Sequence, residues 1–171
     1  QGISIRTVRG KDIAGQAEAA HALYATTVDK FMWGQRYLNH AFFARVFARM
    51  PEHMEFVQAH QGGRLIAGAI NVSSKTRLYG RYWGCHEEHP FLHFNVCLYH
   101  SIDECIQRSI VVFEGGMGGE HKLLRGFDPV LVHSAHRYGD ERFDQAIGAY
   151  LHKERTLRER ELAAWCEKNK R

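Results

Sequence analysis

Several things are scarce in this chain of 171 residues. No apolar run approaches the roughly 20 residues a bilayer-crossing helix needs, so no membrane span is expected. The opening QGISIRTVRG has no charged stretch leading into an apolar one, so no signal peptide is read there and a cytoplasmic setting is the expectation. The four cysteines, Cys85, Cys97, Cys105 and Cys166, form no CxxC pair. They are too sparse for a disulfide scaffold and read as reduced thiols. A net charge of +4 is too small and too dispersed for duplex nucleic acid. It suits an anionic small-molecule or phosphate-bearing partner. Apolar residues at 44 % and charged residues at 25 % are ordinary globular composition, with enough chain for one hydrophobic core.

What is present is a sequence of alternating periodicities. ISIRTV (3–8) alternates as a strand does. Asp12 stands where it can cap a helix through Ile13, Ala17, Ala20 and Leu23 toward Val28. HAFFARVFARM (40–50) is a second helix, stopped by Pro51. MEFVQAH (54–60) and RLIAGAINVS (64–73) read as strands joined at Gly62–Gly63, and RLYGRYW (77–83) as a third. Pro90 ends the irregular HEEHP. Residues 94–108 turn helical, with Val96, Leu98, Ile102 and Ile106 on or near one face and His100, Asp103 and Glu104 on the solvated one. SIVVFE (109–114) is a strand, PVLVHSAH (129–136) another, and from Asp140 a charged amphipathic helix, or two in series, runs to the end. The Leu and Trp side of that helix is expected to pack, with Arg and Glu alternating outside. The order β-α-α-β-β-β-α-β-loop-β-α predicts a single α/β domain, an α+β mixed sheet flanked by helices rather than a doubly wound fold.

Residues 113–127, FEGGMGGEHKLLRGF, are the densest candidate for chemistry. They match neither GxxxxGK[ST] nor GxGxxG. What remains is a strand end, a glycine turn that lets a ligand approach the backbone, and the polar group Glu120, His121, Lys122 and Arg125. The competing reading is a wide turn with solvated charges. In CHEEHPFLH, Cys85, His86, His89 and His93 are metal-ligand types, but the spacing is one short of HExxH and Pro90 breaks the helix such a site needs. No metal is assigned.

The words GRYWGC, HFNVCLYHSIDECI, FEGGMGGEHKLLRGF and PVLVHSAH make residues 80–136 resemble the bacterial FemAB-like family of peptidoglycan biosynthesis or recognition proteins. That family lies within the GNAT superfamily of acyl-CoA N-acyltransferases. The resemblance implies a GNAT-like fold with ligands held where two parallel strands splay, here 78–83 and 111–114. Longer members resemble a tandem of two such domains, and this chain looks like the carboxy-terminal one. A second GNAT domain or a homodimer is therefore an implied partner. Related Fem transferases take an aminoacyl-tRNA donor and a nucleotide-linked muramyl peptide acceptor, and mainstream GNAT enzymes take acetyl-CoA. The [QR]xxGx[GA] loop that holds the CoA pyrophosphate is not found: its nearest match, RLYGRY (77–82), falls in an expected strand.

With acyl transfer as the implied chemistry, Glu114 is the first choice of general base, at a strand end beside the glycines. Its competing reading is an edge carboxylate paired with Lys or Arg. Glu120 and His121 stand behind it, and Tyr82 is a proton donor or a core aromatic. Backbone N–H groups of Gly115, Gly116, Gly118 and Gly119 are read as an oxyanion or phosphate nest. Arg81, His86, Lys122 and Arg125 would hold anionic ligands. The function expected is N-acyl or aminoacyl transfer to an amine, that of a peptidoglycan precursor. The alternative is a non-catalytic ligand-binding or partner-supporting domain. The donor is acetyl-CoA or another acyl or aminoacyl carrier.

Overall fold

The computed structural model describes residues 2–30, 35–116 and 120–169. The chain divides into two compact units, residues 1–118 and 119–171.

The first unit is a mixed five-stranded sheet in sequence order. β1 (Ile3–Arg9), β2 (Met54–Gln61), β3 (Arg64–Ser73) and β4 (Arg77–Cys85) pair antiparallel, and β5 (Val112–Glu114) joins β4 in parallel. The β2–β3 turn is the expected one: Gly62 and Gly63 take φ of +56° and +79°, the left-handed values a two-residue hairpin turn requires.

One face of the sheet carries α1 (Ala17–Val28) and α2 (His40–Arg49). Leu23, Tyr24, Phe43 and Phe47 from these helices pack on Met54, Phe56 and Ile70. Asp12 does not cap α1. It lies inside a 3-10 stretch, Gly10–Gln16, whose leading residue makes no side-chain cap. Asn39 does cap α2, accepting from the Phe42 N–H.

The other face carries α3 (Leu92–Phe94), a π turn (Asn95–Tyr99) and α4 (His100–Gln107), run together without a break. Leu92 and Val96 pack on Val57, Ala59, Ile66 and Ala69. The π turn inserts a residue into the helical register. The buried stripe therefore slips to Ser101 and Cys105, and Ile106, expected on the apolar face, is 72 % exposed. The face expected to be solvated is partly engaged as well. His100 Nε2 lies 2.9 Å from Thr7 Oγ1, and Glu104 accepts from Arg9 at 2.7 Å. Beside them buried Glu55 pairs with Arg108 at 2.7 Å, and Asn71 bonds Ser101 beneath α4.

The expected strand 109–114 is shortened to β5, because Ser109 takes φ of +57°. In the second unit, residues 120–125 form a 3-10 turn and α5 (Glu141–Lys168) is one helix, capped by Asp140 through the Arg142 and Phe143 N–H groups. The expected strand 129–136 is absent: those residues carry neither helix nor strand. A strand needs a ladder partner, and the elements of this unit are helical. No residue of α5 is buried.

Candidate active site

The site begins with a change of register in β4. Tyr82 stands opposite Ile70 and Gly80 opposite Asn71, which leaves Arg81 as the extra residue of a β-bulge. The bulge has a consequence for direction. Side chains alternate along a strand, so Tyr79 and Tyr82, three apart, would ordinarily face opposite ways. Here Tyr79 pairs with Val72 and Tyr82 with Ile70, both on the α1/α2 side. Tyr79 and Tyr82 thus share one face, while Trp83 and Cys85 join the opposite core.

β5 runs beside β4 only for Arg77–Tyr79, with Glu114 as the partner of Tyr79. The two chains stay in contact one step further through glycine. A Cβ on Gly80 would lie 3.6 Å from the Glu114 carbonyl oxygen, and one on Gly116 3.3 Å from the Gly80 oxygen. β4 then continues through residues 81–85 paired with β3 but without β5, and this is the splay. Its far end is closed by α1. The Thr27 hydroxyl donates to the Trp83 carbonyl at 2.5 Å, and the Cys85 N–H donates to Thr26 Oγ1 at 3.1 Å. Gly84 permits that docking, since a Cβ there would sit 1.8 Å from the Leu23 oxygen.

Glu114 is half-exposed and bound by Arg77, Nη1 to Oε1 at 3.0 Å, so the paired reading of this carboxylate describes its resting contact. The Arg81 guanidinium carbon lies 5.7 Å from the centre of the Tyr79 ring. Tyr82 meets the ring of buried Tyr24 edge-on at 5.2 Å. Burial pushes the Tyr82 phenol above its ordinary value; Tyr24 adds to this and Arg81 opposes it. Tyr82 is 38 % exposed, so it is neither a core aromatic nor a free surface one.

The fold therefore brings Glu114, Gly115, Gly116, Arg81 and Tyr82 to one place. His86 lies at the end of β4, exposed, its N–H continuing the ladder to Ile66. Gly118 and Gly119 fall outside the described residues. Glu120, His121, Lys122 and Arg125 belong to the second unit, where Arg125 Nη1 donates to the His121 carbonyl at 2.7 Å. Three contributors were missed in the sequence: Arg77, Tyr79 and Tyr24. Arg77 and Tyr79 sit two apart on one strand, the spacing that shares a face, and this was the signal available.

The segment from Cys85 to the central helix contains no glycine. Its two carboxylates are paired, Glu87 with Arg64 and Glu88 with Lys30, each at 2.5 Å. Two carboxylates and a glycine-free approach do not fit a nucleotide pyrophosphate, which needs open backbone N–H groups. Among the described residues no three His, Cys, Asp or Glu side chains group as metal ligands would.

A mixed sheet whose parallel pair splays after a bulge is the frame of the GNAT N-acetyltransferases, and solved structures bear that out. A ribosomal-protein-alanine N-acetyltransferase from Brucella melitensis biovar Abortus 2308 aligns with a TM-score of 0.54 at 12 % identity, over 82 % of this chain and 100 % of that one. An aminoglycoside acetyltransferase from an uncultured soil metagenomic sample, in complex with sisomicin, gives 0.52 at 8 % identity over 81 % and 96 %. An aminoglycoside N-acetyltransferase in complex with CoA gives 0.51 at 10 % over 81 % and 95 %. At these identities the likeness is one of fold. No curated protein matches the sequence. The model of the FemAB-like family, described as peptidoglycan biosynthesis/recognition, matches residues 1–170, and the chain belongs to that family.

Proposed function

We propose that this chain is an N-acyltransferase of the FemAB-like type, transferring an acyl or aminoacyl group to an amine of a peptidoglycan precursor. The observation that carries the reading is the placement of Glu114 at the splay of β4 and β5, on the partner position of Tyr79. The carboxylate takes a proton from the attacking ammonium, and the freed amine forms the new C–N bond at the donor carbonyl. The developing oxyanion needs backbone N–H donors, and this reading places them in the glycine turn that begins at Gly115. As the bond to the donor carrier breaks, Tyr82 gives its proton to the leaving atom. A phenol is protonated at neutral pH, and burial shifts this one further in that direction. Arg77 orients Glu114 between turnovers.

The test is amide formation on a nucleotide-linked muramyl peptide, followed by mass spectrometry with acetyl-CoA and an aminoacyl-tRNA as alternative donors. Glu114→Gln should lower kcat by about 100-fold or more while circular dichroism and Tm stay at wild-type values. Undiminished transfer in that variant would remove Glu114 as the base.

A further inference from the structure

Resting on that reading of Glu114, we infer that the Arg81–Tyr79–Glu114 face is an acceptor subsite for a molecule that carries a carboxylate as well as its amine, and that it disfavours polycationic amines. Arg81 is the bulged residue of β4 and is exposed. The other arginines of the sheet are engaged. Arg9, Arg64 and Arg77 hold carboxylates, and Arg6 donates to Gln58. Among the described residues the Arg81 side chain makes no hydrogen bond or ion pair, and its guanidinium lies over the Tyr79 ring. A guanidinium lying over an aromatic ring is partly ordered before any ligand arrives, so it pays less entropy on binding. Its planar fork matches a carboxylate.

Glu114 stands beside Tyr79, and the guanidinium of Arg81, two positions along β4, lies over that same Tyr79 ring. A molecule that meets both side chains carries an amine for Glu114 and a carboxylate for Arg81. Charge sets the preference. One carboxylate lies among two guanidinia, Arg77 and Arg81, so the face carries a net positive charge. A zwitterion leaves that charge unchanged and satisfies both Arg81 and Glu114. An aminoglycoside would bring several ammonium groups against two arginines, which is a like-charge penalty.

The experiment measures binding by NMR titration of the full chain with 6-aminohexanoate, its decarboxylated relative pentylamine, sisomicin, and 5-aminopentyl phosphate. We expect 6-aminohexanoate to bind about ten-fold tighter than pentylamine and tighter than sisomicin. Arg81→Met should erase the difference, and Arg81→Lys should restore part of it. Equal affinity for 6-aminohexanoate and pentylamine, no binding of 6-aminohexanoate, or an Arg81→Met variant that still discriminates would overturn the inference. Tighter binding of the aminoalkyl phosphate would overturn the carboxylate assignment. Glu114→Gln separates the two readings. If it leaves both amines bound as before, the role of Glu114 fails; if only carboxylate discrimination is missing, the subsite alone fails.

Discussion

Gly84→Ala is the sharpest perturbation the sheet offers. The added methyl would meet the Leu23 oxygen at 1.8 Å, the Leu23 carbonyl carbon at 2.4 Å and Thr26 Oγ1 at 2.8 Å. Ordinary contact begins at 3.4 Å, so α1 must retreat by about 1.6 Å. Two of the three obstacles are backbone, which cannot rotate away. Overpacking of this kind costs about 1–3 kcal/mol. The retreat also breaks the Thr27–Trp83 and Cys85–Thr26 hydrogen bonds, each worth about 1 kcal/mol net. The total is about 3–5 kcal/mol, a large share of the stability of an ordinary domain. Urea denaturation followed by tryptophan fluorescence measures it. Gly15→Ala is the control, since nothing lies within 4 Å of a Cβ there. Thr27→Val should cost about 1 kcal/mol alone and much less on top of Gly84→Ala, because the bond is already lost. A Gly84→Ala variant within 1 kcal/mol of wild type would refute the docking of α1 on β4.

Glu55→Gln should destabilise the protein by about 2–3 kcal/mol in the same assay. It leaves Arg108 partly buried, with only Glu104 nearby at 3.8 Å, and a cost under 0.5 kcal/mol would count against the pair. Burial pushes the Cys105 thiol up to about 11, with Glu55 and Glu104 adding and Arg108 opposing. The folded chain therefore keeps a proton that the unfolded chain loses near pH 9, and this contribution to stability is full below pH 9 and falls as pH rises toward 11. Iodoacetamide at pH 8 should modify exposed Cys166 promptly and Cys105 only on unfolding, which mass spectrometry of the digested protein distinguishes.

The parts legible in the sequence were those that local chemistry settles. Gly62–Gly63 had one sensible use between two alternating segments, and Pro51 marked the end of α2. The strands flanking the splay were also legible, because β-branched and aromatic residues cluster there. The π turn was not. One inserted residue leaves no mark on composition, and it moved Ile106 outward and Cys105 inward. The segment 129–136 shows the converse failure: β-propensity marks a readiness to pair, and pairing is decided elsewhere in the chain. The Arg77–Glu114 contact joins residues 37 apart, and only the register of a parallel pair creates it.

The word GRYWG, residues 80–84, concentrates much of what the site requires. Its first glycine lies against Glu114 and the Gly115–Gly116 turn, and its last lets α1 seal the other end. Between them Arg81 is the unpaired residue of the bulge, which turns Tyr82 to the face of Tyr79 and Glu114. Gly84 cannot gain a side chain without pushing α1 away, and deletion of Arg81 would return Tyr82 to the opposite face. Gly115 and Gly116 are thus half of a contact whose other half is Gly80. This accounts for Gly116 without a phosphate motif: it makes room for a neighbouring strand. On the proposed reading Arg81 shares the face of Tyr79, the partner of Glu114, and the charge of this one side chain is expected to govern which amines the protein accepts.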